Sequence, residues 1–97
     1  VHTNNNLCLI VFGLKLAEGD LMRGLSQTVA MGLDSDCTAA SAGSILGAVL
    51  GKRAIAPELY ECFHDRMDTY LKNTEAFSIR DMAKRYSALA HKVHSRL

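Results

Sequence analysis

With 97 residues, 48% of them hydrophobic and 22% charged, the chain has the balance of one small globular domain and no more. Eleven Lys and Arg against ten Asp and Glu leave a formal charge of +1, and with scattered basic residues and no Trp there is no electrostatic or stacking case for nucleic acid or an anionic membrane. Cys8, Cys37 and Cys62 are odd in number, widely spaced and without a Cys-x-x-Cys pair, which argues against a disulfide framework or zinc knuckle and for a reducing, cytoplasmic setting.

The opening Val1-His2-Thr3-Asn4-Asn5-Asn6 has neither Met nor a basic leader, as expected of an internal or processed piece rather than a signal peptide. So short a chain buries a modest share of its surface, so in a larger fold some of its apolar faces should point at partners outside it. Residues 7–17 are apolar on nearly every face and read as a buried helix capped by Asn4 to Asn6, with a buried strand as the rival. The run is too short, and too interrupted by Gly13 and Lys15, to span a bilayer. Gly19-Asp20 then reads as a stop followed by a new cap.

Over residues 21–31, Leu21, Met22, Leu25 and Val29 make one helical face, and Gly32 suits a left-handed helix end. Residues 38–50 are dominated by Ala39, Ala40, Ala42, Gly43, Gly47 and Ala48, with Gly51 beyond, and are expected to form a central helix packed closely on several sides. A link follows, and Pro57 suits the first turn of a moderately helical stretch over 57–71. Residues 73–77 read as a loop. Ser78 with Asp81 resembles a capping box, and Ile79, Met82, Ala83, Tyr86, Ala90, Val93 and Leu97 mark the clearest amphipathic helix. Little supports strands, so the expected class is all-α, a helical bundle segment without repeats or internal linkers.

Asp34 and Asp36 are the foremost candidates for chemistry. Two carboxylates one residue apart, between Gly32 and a small-residue helix, can both turn toward one cavity, and hard cations such as magnesium take oxygen ligands. Spacing alone fits equally a cap at Asp36 and a turn at Asp34, with both charges favoured by the helix N-terminus. His2, Thr3 and Asn4 to Asn6 read first as capping residues and second as a lining of the same cleft. His91 and His94 share a helix face but lack a third ligand, and read as solvated. Glu58, Glu61, Asp65 and Asp68 recur at helical spacing and read as a solvated face. Cys8 and Cys62, with no charge pattern to activate them, read as small buried hydrophobes.

The string from Gly32-Leu33-Asp34-Ser35-Asp36-Cys37 through Thr38-Ala39-Ala40-Ser41-Ala42-Gly43-Ser44-Ile45-Leu46-Gly47-Ala48, with Gly51 and Pro57 after it, resembles the C-terminal signature of the ADP-ribosylglycohydrolase family. There a Gly-x-Asp-Thr-Asp segment ending in Thr or Cys leads into a helix of Ala and Gly. The likeness extends back through Gly19-Asp20 to His2-Thr3 and, more weakly, forward to the helix at Ser78-Ile79, making residues 1–97 the C-terminal portion of a single such domain. The resemblance implies an all-helical hydrolase that uses two magnesium ions to cleave the glycosidic bond of ADP-ribosylated protein or a small ADP-ribose-containing molecule. It makes Asp34 and Asp36 metal ligands. Cys37 stands where a Thr hydroxyl often binds metal, and a thiol suits magnesium poorly. Ser35 and Leu33 replace the common Thr and Gly. The family's remaining ligands lie in an N-terminal Gly-Asp motif and a later carboxylate pair, so these residues by themselves are expected to be inactive. The alternative is a non-catalytic protein on the same scaffold, structural like the lens crystallins recruited from this family, or a helical interaction module.

Overall fold

Helix α1 (Thr3–Ala17) begins where His2, in an extended conformation, accepts the N–H of Asn4 on Nδ1 at 3.2 Å. The cap is therefore His2 and not an asparagine, and Asn4 to Asn6 lie inside the first turn. The computed structural model describes residues 2–97 and divides them into two units, one running to Ile55 and the other Ala56–Leu97.

The first unit is built from three helices. α1 ends with Glu18 and Gly19 in left-handed conformations (φ 49° and 79°), and Asp20 then caps α2 (Leu21–Ala30) by accepting the N–H of Arg23 on Oδ1 at 2.7 Å. Gly32, at φ 74°, follows α2 as expected of a left-handed stop. α3 (Ser35–Leu50) runs three residues further toward the N-terminus than its small-residue run suggests.

Small residues bring these helices close. The buried stripe of α1 runs through Gly13 and Ala17, that of α2 through Gly24 and Thr28, and that of α3 through Thr38, Ala39, Ala42 and Leu46. At Gly13 an added Cβ would collide with the Thr28 side chain. At Gly24 it would lie 2.5 Å from Leu46 Cδ1 and 2.8 Å from Ala17 Cβ, and at Gly43 2.9 Å from Leu25 Cδ2. The two fully buried hydroxyls stay within their own helices: Thr28 Oγ1 donates to the Gly24 carbonyl at 2.7 Å, and Thr38 Oγ1 to that of Asp34 at 3.1 Å. The expectation that α3 is packed on several sides holds for one side. A Cβ at Gly47 would meet nothing within 4 Å, and Ile45 and Val49 are exposed.

The second unit departs from an all-α description. Two short 3-10 turns, Pro57–Leu59 and Glu61–Phe63, precede an antiparallel hairpin of β1 (Arg66–Leu71) and β2 (Thr74–Ser78), paired Met67 to Phe77 and Asp68 to Ala76 with an irregularity between Asp68 and Leu71. The expected helical stretch over 57–71 and the loop over 73–77 are thus replaced by turns and strands. Asn73 at φ 61° turns the chain between the strands, a conformation Asn tolerates better than most residues. α4 (Ile79–His94) is the amphipathic helix expected, and Ser78 Oγ accepts the N–H of Asp81 at 3.1 Å. Asp65 adds a second cap by accepting the N–H of Arg80 at 2.8 Å and the Ser78 hydroxyl.

Two glycine substitutions should differ in sign. Gly24→Ala is expected to lower the denaturant midpoint, because an overpacking cost of ~1–3 kcal/mol outweighs the gain of ~1 kcal/mol for Ala over Gly in a helix. Gly47→Ala keeps only the gain and is expected to raise the midpoint. Equilibrium unfolding of the two variants checks both.

Candidate metal centre

The start of α3 positions both aspartates. Gly32 and Leu33 take consecutive left-handed conformations (φ 74° and 61°), which reverse the chain between α2 and α3 and leave Leu33 78% exposed. Asp34 then occupies the backbone position of the α3 cap, its carbonyl accepting the Thr38 N–H at 2.9 Å. Its side chain makes no cap hydrogen bond. Oδ2 of Asp34 instead accepts from Nδ2 of Asn6, 28 residues earlier, at 2.9 Å. Asp36 lies in the first turn of α3 and is exposed. The carboxylates are therefore spared from capping, and the Asp34 contact is made to another helix.

One ligand atom from each of Asp34, Asp36 and Cys37 lies within 4.8 Å of the others, the one such group of three among the described residues. Asp34 is half-buried and the other two are exposed. Clustered carboxylates repel, and a divalent cation is the group that most directly relieves that repulsion. The donor set fits magnesium at the two carboxylates and disfavours it at the thiol. A hydrogen bond to Asp34, the charge of Asp34 and then that of Asp36, with a small contribution from burial, hold the Cys37 thiol above its ordinary value. With no cation beside it, Cys37 therefore has less thiolate character than an ordinary exposed thiol, which argues against an activated nucleophile.

Beside the cluster lies a cavity of about 250 Å³ lined by His2, Asn5, Asn6, Leu33 and Asp34. Of the opening residues, His2, Asn5 and Asn6 line the space next to Asp34 while Thr3 and Asn4 are not among its lining, and His2 serves as the cap as well. The other polar candidates lie elsewhere. His91 and His94 are exposed in the last turn of α4. Glu58, Glu61, Asp65 and Asp68 are exposed but share no helix, and Asp65 caps α4. Cys8 and Cys62 are exposed, contrary to the expectation of buried hydrophobes: Cys8 sits on the outer face of α1 with Leu7, Val11 and Phe12, and Cys62 in an exposed 3-10 turn.

A family model described as ADP-ribosylglycohydrolase matches residues 3–95. The chain belongs to the ADP-ribosylglycohydrolase family. No curated protein and no solved structure matches it significantly. The family match spans both units and so includes the hairpin. Among the described residues no helix is long and apolar enough to cross a membrane.

Two outcomes are expected here. With Cys8 and Cys62 replaced by Ser, the rate of Cys37 alkylation should rise with pH to a midpoint above that of an ordinary thiol, and Asp34→Asn should move that midpoint down, since it removes a negative charge that opposes the thiolate. Leu33→Gly should stabilise the chain by about 0.5–1 kcal/mol in thermal or chemical unfolding: relief of a left-handed non-glycine residue, ~1–2 kcal/mol, exceeds the entropy that glycine adds to the unfolded chain, ~0.4–1 kcal/mol.

Proposed function

We propose that this chain is the part of a magnesium-dependent glycohydrolase that holds metal through Asp34 and Asp36, and that the enzyme cleaves the glycosidic bond between ADP-ribose, or a related nucleoside-like glycoside, and its acceptor. The observation that carries the reading is that the two carboxylates converge at the start of α3 while Asp34, at the cap position, leaves its side chain out of the cap. Family membership supplies the reaction class.

Hydrolysis of such a bond needs water delivered to the anomeric carbon, stabilisation of the charge that develops on the ribose, and a proton for the departing acceptor. Bound magnesium would supply Lewis acidity toward ribose hydroxyls and a water of lowered pKa. The part of this chain is to fix the two carboxylate ligands at the start of a helix, beside a thiol that suits magnesium poorly. Magnesium takes six ligands in near-octahedral geometry. Two aspartates do not complete one such shell, let alone two, and further carboxylates, including the one that moves protons, must come from other parts of the enzyme.

In calorimetric titration of the full-length protein with magnesium, Asp34→Ala and Asp36→Ala are each expected to weaken binding at least about tenfold, the least that loss of a direct ligand should cost when supporting partners alone cost ~10–100-fold. Release of ADP-ribose from an ADP-ribosylated peptide should fall with it. Magnesium affinity unchanged by both substitutions would return Asp34 to the role of a turn residue and remove the basis for the proposal.

A further inference from the structure

We infer that Asn6 is the positioning residue of Asp34, its side-chain amide setting the orientation in which Asp34 presents its carboxylate to a metal ion. The inference rests on the reading of Asp34 as a ligand. Asn6 belongs to the inward stripe of α1: it precedes Leu9, Ile10, Gly13 and Ala17 at helical spacing, and all five are half-buried or buried. A half-buried amide at the head of an otherwise apolar stripe is satisfied by water or by a protein partner. It has one in Oδ2 of Asp34, at 2.9 Å and partly shielded from water.

The chemistry of this partner suits a metal site. A carboxylate only accepts, so the amide must present Nδ2 to it, and the contact fixes the side chain of Asn6 as well. An amide orients the carboxylate without neutralising it. Among the described residues no Lys or Arg pairs with Asp34 or Asp36, so the negative charge of both stays available to a cation. A lysine at position 6 would make a stronger bond to Asp34 and spoil it as a ligand. Thr38 secures the same residue from the other side, its N–H and hydroxyl both donating to the Asp34 carbonyl. Asp34 is thus held at its backbone by α3 and at its carboxylate by α1. Such partners of a ligand govern metal affinity because they remove the cost of ordering it.

The test is titration of the full-length protein with Mn²⁺, read by electron paramagnetic resonance of the free ion, for Asn6→Ala and for Asn6→Leu, which keeps the volume of the side chain and loses the donor. Each variant's thermal unfolding is recorded in metal-free buffer. The expected result is Mn²⁺ affinity weakened about 10–100-fold in a folded variant, and no additional weakening when the same substitution is placed in an Asp34→Asn background titrated to higher metal. Wild-type affinity in either folded variant overturns the inference, as does an equal loss with and without the Asp34 carboxylate, which would make Asn6 a packing residue. Failure of the underlying reading looks different: there, Asp34→Asn alone leaves Mn²⁺ affinity unchanged.

Discussion

The close approach of three helices through residues with almost no side chain governs where everything else in the first unit lies. Thr28 fills the space over Gly13, and Ala17 and Leu46 fill the space over Gly24. Contacts this tight do not slide, because a shift by one residue would put Phe12 or Leu14 in the place of Gly13, and Arg23 or Leu25 in the place of Gly24. The register of α1 against α2 and α3 is thereby fixed, and with it the meeting of Asn6 and Asp34. A site formed by the starts of two helices depends on packing two or three turns away.

The start of α3 serves two competing demands. A helix N-terminus carries unpaired N–H groups and favours a nearby carboxylate, so an Asp at the cap ordinarily turns its side chain inward onto the helix. Asp34 does not. Its carboxylate is drawn off by Asn6, and the helix gives up about 1 kcal/mol of capping. Leu33 adds a second cost by standing in a left-handed conformation, as a Gly would not. Departures of this kind collect where geometry serves binding rather than stability. The helix keeps one benefit: the charges of Asp34 and Asp36 still lie at the positive end of its dipole.

Local signals in the sequence carried most of the helical boundaries. Asp20 and Ser78 cap where their residue types say they should, Gly32 stops α2, and the apolar stripe of α4 is continuous. The hairpin was hidden by coincidence of spacing. Glu58, Glu61, Asp65 and Asp68 recur every three or four residues as on a helix, yet they fall across two 3-10 turns, a left-handed residue and a strand. A strand signal did exist in Thr69-Tyr70-Leu71 and Thr74 on either side of Lys72-Asn73, but β1 is exposed along almost its whole length, so it lacks the alternation of burial by which strands are usually read. At the site, the motif made Asp34 and Asp36 legible. The Asn6 contact was not, because it joins residues 28 apart and only the packing of α1 creates it. What the sequence held was weaker: a polar residue in register with Gly13 and Ala17.

The same packing explains why so much apolar surface stays open. Gly, Ala and Thr permit close approach but bury little area, and the buried hydrophobic residues are Ala17, Ala39, Ala42 and Leu46. At roughly 25 cal/mol per Å² such a core offsets only part of the entropy lost in ordering three helices. The larger side chains lie on the outer faces: Leu7, Val11 and Phe12 on α1, Ile45 and Val49 on α3. Two kinds of surface thus divide the work on α1 and α3. One face of each helix is pared down so that neighbouring backbones lock at a fixed spacing and hold Asn6 against Asp34. The other carries the bulk, and its Leu, Val, Ile and Phe side chains contribute little to the packing that sets this geometry because they remain exposed.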